Sequence, residues 1–266
     1  MIDIFNQHDT EIGFSTERRD AILIVTLRRG PLNTLPPAIH RPIEAVWDAF
    51  EKEDGLRVAI LTAEGDKSFS AGSDISAYNA GQKANLPPGG GIGLTSRPRM
   101  TKPVIAAVNG LALGGGMEIM LACDMVIAAE HAIFGLPEVK LGAAPLGGGA
   151  PRVVRKLPHT IGLAVALGVQ KLNAEEALRY GLINAIAPKG QALEKALEWA
   201  QAIVDSAPIA VAAVKEVADM ALDGADLDEL LRYAGGPLEH KVMDSADMRE
   251  GMAAFLEKRK PVWTGK

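Results

Sequence analysis

The sequence predicts an α/β protein whose C-terminal part turns helical, and three patterns carry that expectation. Short apolar runs rich in β-branched residues, such as Val58-Ala-Ile-Leu-Thr62 and Val104-Ile-Ala-Ala-Val108, read as strands buried on both faces. A segment of helical period is interposed between such runs, which favours a layered α/β core. Beyond residue 155 the strand signals give way to helix caps and stops.

Taken in order, Ala21-Ile-Leu-Ile-Val-Thr-Leu27 reads as a strand, paired through Glu17-Arg-Arg-Asp20 with Ile12 to Ser15. Ile39, Ile43, Val46, Trp47 and Phe50 then recur at helical spacing after Pro36-Pro37, a favourable helix start. The two buried strands above follow, with Met125-Val-Ile-Ala128 as a third and a helical run, Met117 to Cys123, before it. Between the strands, Asn79 to Arg99 contains Pro87-Pro-Gly-Gly-Gly-Ile-Gly93 and lacks a period; it is expected to be a mobile loop, either a lid or a surface insertion. Asn173-Ala-Glu-Glu176 offers an N-cap with a glutamate three residues on, and Gly181 a stop. Asp226-Leu-Asp-Glu229 begins another helix, and Ser245 caps the last, which runs through Lys258. A loose boundary near residue 205 separates a core, 1–205, from a helical region, 206–266, which is too short and too apolar on one face to stand alone.

Composition excludes several classes. The net charge of -5 gives no electrostatic case for nucleic acid. One cysteine, Cys123, precludes an internal disulfide or a cysteine metal cluster and reads as a small core residue. The N-terminal residues lack the basic and long apolar regions of a leader, and the longest uncharged stretch, Pro103 to Met117, is too short for a bilayer. A cytoplasmic protein without a membrane partner is expected. His8, His40, His131, His159 and His240 lack metal-ligand spacing, so each is expected to be a surface or capping residue and no metal is expected. Neither G-x-G-x-x-G, a P-loop, nor G-x-S-x-G occurs.

Two segments are built to present backbone amides: Phe69-Ser-Ala-Gly-Ser-Asp-Ile75 and Gly110-Leu-Ala-Leu-Gly-Gly-Gly-Met-Glu118. Their small residues let a ligand approach the main chain, and the second runs into a helix whose first amides would meet developing negative charge. Glu118 is the one charged residue between Lys102 and Asp124, which points to a functional carboxylate or to one paired with the helix terminus. Glu138, in Phe134-Gly-Leu-Pro-Glu138, is weak alone because Lys140 offers it an ordinary ion pair. Together, two glutamates beside two amide donors can divide the roles of base and acid.

These segments resemble the crotonase, or enoyl-CoA hydratase/isomerase, superfamily, and the resemblance covers nearly the whole chain. Lys102-Pro-Val-Ile-Ala-Ala-Val-Asn-Gly110, Gly114-Gly-Gly-Met-Glu118, Cys123-Asp124 and Phe134-Gly-Leu-Pro-Glu138 occur in family order. The resemblance implies a spiral of ββα units, oxyanion amides at Ser73 and Gly115, a water-activating base at Glu118 and an α-carbon proton donor at Glu138. It implies coenzyme A near Leu32, Ala71, Asp74 and Ile75, meeting Phe255 and Lys258 from the C-terminal helices. It also implies an acyl-CoA thioester substrate that carries the coenzyme A, no separate cofactor, and a homotrimer or hexamer assembled through 206–266. Two departures stand out: Ser73 replaces a common alanine, and Leu146 stands where many hydratases carry glycine beside the water site. The tail from Ser245 to Gly265 and the Pro-Gly-rich loop resemble the carnitinyl-CoA dehydratase branch. The expected activity is reversible hydration of a 2-enoyl-CoA to a 3-hydroxyacyl-CoA. A carnitinyl-CoA-type dehydratase, an enoyl-CoA isomerase and a non-catalytic acyl-CoA-binding protein stand as alternatives.

Overall fold

Burial on both faces explains the apolar runs. The computed structural model describes residues 3–9, 11–82, 86–98 and 100–266. Its elements begin with β1 (His8–Asp9), β2 (Phe14–Arg19), β3 (Ile22–Leu27), α1 (His40–Lys52), β4 (Val58–Ala63), β5 (Ser68–Ser70) and α2 (Ile75–Asn79). There follow β6 (Val104–Val108), β7 (Leu111–Leu113), α3 (Gly115–Leu121), β8 (Met125–Ala129) and β9 (Ile133–Gly135). Next come α4 (Gly149–Lys156), α5 (His159–Ala166), β10 (Leu172–Asn173), α6 (Ala174–Arg179), β11 (Ala185–Ala187) and α7 (Ala192–Val204). The chain finishes with α8 (Pro208–Leu222), α9 (Leu227–Tyr233), α10 (Glu239–Met243) and α11 (Ala246–Glu257).

The strands form a larger sheet in the order β1-β2-β3-β4-β6-β8-β11 and a smaller one in the order β10-β9-β7-β5. From β3 onward the larger sheet is parallel, as are β5, β7 and β9. The chain therefore visits the two sheets by turns: β4 then β5, β6 then β7, β8 then β9. This is the winding of ββα units that the resemblance implies. In β3, Leu23, Val25 and Leu27 join the main core with Trp47, Phe50 and Phe69, while Ile22 and Ile24 face the other way, toward the alanine stripe Ala192, Ala196 and Ala200 of α7. The same period of two repeats in β4, β6 and β8. Both faces are covered, which is why these strands are apolar throughout.

The helix signals are found as read: Asn173 and Glu176 form a reciprocal capping box, and the side chains of Asp226 and Ser245 accept backbone N–H groups of α9 and α11. Three expectations need correction. Glu17, Arg18 and Arg19 extend β2 instead of forming the turn, because their side chains are exposed and the reversal is made at Asp20, φ 52°. The described part of the segment 79–99 is not a free lid after residue 88. Ile92 and Leu94 are buried, the Trp47 indole donates to the Ile92 carbonyl at 2.9 Å, and the Gly89 N–H donates to Glu44 Oε1 at 2.8 Å. Residues 83–85 and 99 of that expectation lie outside the described residues. His40 is not a surface residue: it is buried at the start of α1 and its Nδ1 accepts the Ile92 N–H at 3.0 Å. Cys123 is a core residue as read, with its thiol pushed up to about 12 by burial.

Candidate active site

The two amide-presenting segments meet backbone to backbone. Gly72 has φ +89°, and a Cβ there would stand 2.7 Å from the Gly115 nitrogen and 3.0 Å from the Leu113 oxygen. Gly116 is tighter: its Cβ would fall 2.0 Å from the Ser70 oxygen, so α3 lies directly on β5. The approach to Gly72 is held from beneath by a strap at 29–35. Ala71 N–H donates to the Leu32 carbonyl at 2.9 Å, Leu35 N–H to the Gly72 carbonyl at 2.8 Å, and Ser70 Oγ to the Asn33 carbonyl at 2.8 Å. Buried Asn33 in turn donates to the Ser68 carbonyl at 2.7 Å.

This stitching leaves two donors over. Neither the Ser73 N–H nor the Gly115 N–H has an acceptor among the described residues. A Cβ on Gly115 would stand 3.6 Å from the Ser73 nitrogen, so the two amides are neighbours. A backbone donor without an acceptor is uncommon unless something else fills the place.

Glu118 rises from α3 into a cradle of glycines. The Gly149 N–H donates to Oε1 at 3.0 Å, and a Cβ at Gly147 would stand 2.7 Å from Oε2. Burial raises its pKa, opposed by the Gly149 and Gly147 amides and the nearby Arg152 guanidinium. Glu138 enters from the one-turn 3-10 segment Glu138–Leu141, with Oε1 close to Gly114 at the start of α3. Its Oε2 is buried without a hydrogen-bond partner. Its pKa is raised by burial first, and by the negative charge of Glu118 as well. The two carboxyls thus share one site in unlike surroundings: Glu118 has two neighbouring amides and a guanidinium that favour the anion, and Glu138 has its own backbone N–H set against the charge of Glu118.

Leu32 and Ile75 are exposed, the Ala71 N–H donates to the Leu32 carbonyl, and Asp74 Oδ1 accepts the Ser76 and Ala77 amides at the start of α2. The Ser76 hydroxyl, foremost, holds the Asp74 carboxyl below the usual carboxylate range, with Arg29 3.8 Å away. Phe255 and Lys258 are not brought to this place within one chain. Phe255 is 83% exposed and borders a shallow apolar groove with Met248, Met252 and Trp263, which shares no lining residue with the glutamate site. Leu146 is 79% exposed beside the Glu118 cradle. Arg152, Gly147 and Gly149 had no assigned role in the sequence reading. The glycine run after Leu146, with an arginine one helical turn on, was the available signal.

Among the described residues no group of three or more His, Cys, Asp or Glu is placed to hold a metal. No single described helix is long and apolar enough to cross a membrane.

Residues 17–266 match the enoyl-CoA hydratase/isomerase family. The chain belongs to that family. Its relatives include the carnitinyl-CoA dehydratases of Shigella flexneri, 42% identical across 94% of this chain and 97% of the relative, and of Salmonella typhi, with the same figures. The structure of enoyl-CoA hydratase from Mycobacterium tuberculosis H37Rv is 38% identical, with a TM-score of 0.90 over 96% of this chain and all of that one. Carnitinyl-CoA hydratase from Mycobacterium avium is 36% identical, with a TM-score of 0.76 over 96% of this chain. The enoyl-CoA hydratase/isomerase fold accounts for the two interleaved parallel sheets, and both branches met in the sequence motifs are represented among these relatives.

Proposed function

We propose that the chain is an acyl-CoA lyase that reversibly hydrates a 2-enoyl-CoA to a 3-hydroxyacyl-CoA. The observation that carries the proposal is the convergence of two unspent amides, Ser73 and Gly115, with two buried carboxyls, of which Glu118 has amide donors and a guanidinium beside it and Glu138 has the charge of Glu118. In the hydration direction Glu118 takes a proton from water as the water oxygen bonds to the β-carbon. The double-bond electrons move toward the thioester oxygen, where the two amides receive the developing charge; each such donor is worth roughly 3 kcal/mol in the transition state. Glu138 then gives its proton to the α-carbon. Dehydration runs the same path backward.

Leu32, Ala71, Asp74 and Ile75 form the rim along which coenzyme A would lie, as part of the substrate and not a separate cofactor. Phe255 and Lys258, remote within one chain, would reach it from the 206–266 region of a neighbouring copy, in a trimer or hexamer assembled through that region. A soluble cytoplasmic setting agrees with this reading. The dehydration of a carnitinyl-CoA is the second reading, favoured by the relatives at 42% identity. The presence of both glutamates weighs against an isomerase, which needs one, and against a silent binder.

The test is a continuous absorbance assay with crotonyl-CoA and a longer 2-enoyl-CoA, with mass spectrometry of the product. Loss of enoyl absorbance with gain of one water, abolished in Glu118→Gln, is expected. Acyl-CoA binding without water addition or removal on enoyl, hydroxyacyl or carnitinyl thioesters would overturn the proposal.

A further inference from the structure

Beside the Glu118 cradle opens a cleft of about 800 Å3, walled by residues 94–98 and Met100, the end of α3, α4 and α8. Leu146, Gly148 and Arg152 line it, and these flank or oppose the glycines that hold Glu118. Helix α4 is tied at each of its ends to α3 or to the turn that follows it. At one end the Gly149 N–H meets Glu118, and at the other Lys156 Nζ approaches the Cys123 carbonyl at 3.4 Å. Cys123 stands in the turn that continues α3, five residues after Glu118; at about 1.5 Å per residue that is roughly 7 Å, the reach of a short acyl chain.

The charges in this cleft are unevenly spent. Asp124 accepts from Lys215 at 2.5 Å and from the Val104 N–H at 2.8 Å. Asp219 pairs with the same Lys215 at 3.2 Å, and Asp223 faces Arg155 at 3.7 Å. Arg152 donates to the Thr95 carbonyl at 2.9 Å. Lys156 differs. Its one hydrogen bond is the long contact with the Cys123 carbonyl, and no carboxylate forms an ion pair with it among the described residues. Burial, foremost, holds the Lys156 amine below its ordinary value and the Arg152 guanidinium adds to this, while the Asp124 carboxylate, itself paired with Lys215, opposes it from beyond ion-pair distance.

We infer that this cleft receives the far end of the acyl chain and that Lys156 selects acyl groups ending in a carboxylate. The inference rests on the acyl-CoA reading above and goes beyond it by naming the substrate class. A carboxylate at Lys156 gains a charge-assisted hydrogen bond in partial seclusion from water. A quaternary ammonium there meets a like charge that no described carboxylate contacts, and the cleft's aspartates already have Lys215 and Arg155 beside them.

The experiment compares three 2-enoyl-CoAs of similar length: one ending in a carboxylate (glutaconyl-CoA), one in a methyl group (2-pentenoyl-CoA) and one in a trimethylammonium group (crotonobetainyl-CoA). The wild type is expected to favour the carboxylate over the methyl substrate by about tenfold in kcat/KM. Lys156→Met should bring that ratio close to one, and Lys156→Arg should keep it. Equal or reversed preference in the wild type, or an unchanged ratio in Lys156→Met, overturns the inference. Binding of the unreactive glutaryl-CoA and valeryl-CoA, measured by calorimetry on the same proteins, separates the two proposals. A glutaryl preference lost in Lys156→Met sustains the cleft even without turnover, whereas equal affinities dismiss it even if hydration is observed.

Discussion

Burial disfavours ionisation of both glutamates, but the Gly149 and Gly147 amides and Arg152 oppose this at Glu118, while the charge of Glu118 adds to it at Glu138, so acid and base roles follow from environment. Glu118→Gln and Glu138→Gln should each lower kcat by about 10²- to 10⁴-fold with the fold intact, as far-UV circular dichroism would verify. For hydration the pH profile of kcat should be bell-shaped, with the acid limb set by Glu118 gaining a proton and the alkaline limb by Glu138 losing one. The same asymmetry bears on stability. Because Glu138 has a raised pKa in the folded state, folding favours its protonated form; stability is lost as pH rises through the folded value. Glu138→Gln should therefore raise Tm by roughly 2 °C at pH 8 and leave it unchanged at pH 4, by differential scanning fluorimetry. Glu118 was legible in the sequence because it stands alone in a long uncharged run. Arg152 and the Gly147–Gly149 amides were not, since nothing in linear spacing says that a loop some thirty residues downstream folds over the start of α3.

At the scale of elements, the parallel strands and capped helices were readable from local pattern, while the segment around Ile92 was not. Its two buried apolar residues, Ile92 and Leu94, are too few to show a period, and what holds it is hydrogen bonding to α1 across more than forty residues. His40 is the sensitive point. Burial lowers its pKa to about 4, and its neutral Nδ1 accepts the Ile92 N–H. The unfolded imidazole titrates near 6.5, so the unfolded state takes up the extra proton and stability falls as pH drops from about 6.5 to about 4. At most about 3 kcal/mol is involved. Urea denaturation at pH 7.5 and 4.5 should show that loss in the wild type and a smaller one in His40→Gln. A second expectation belongs to the meeting of β5 and α3: Gly72→Ala should cost at least about 1 kcal/mol and reduce kcat, because φ +89° and the Gly115 nitrogen both oppose a Cβ.

Across the whole molecule, apolar side chains remain uncovered on the helices after residue 205: Val214, Leu227, Leu231, Phe255 and Leu256 are all more than 60% exposed. Such a surface suits assembly better than solvent. Sedimentation velocity is expected to find a trimer or hexamer, and Leu231→Asp with Leu256→Asp to shift it toward monomer; a monomeric wild type would refute the assembly reading. The apolar character of this region was legible, but which of its faces a partner covers depends on how α8 to α11 pack, which no local pattern encodes. The interleaving of the two sheets has a further consequence, for synthesis. The partner of β8 on its far side is β11, and that of β9 is β10. Until residues 172–187 emerge, a nascent chain therefore carries two bare strand edges at once. Most of these pairings are also distant in sequence, which slows folding. Polypeptides stalled near Ala166 should aggregate where the finished chain does not, making this protein unusually dependent on completing translation before its edges find one another.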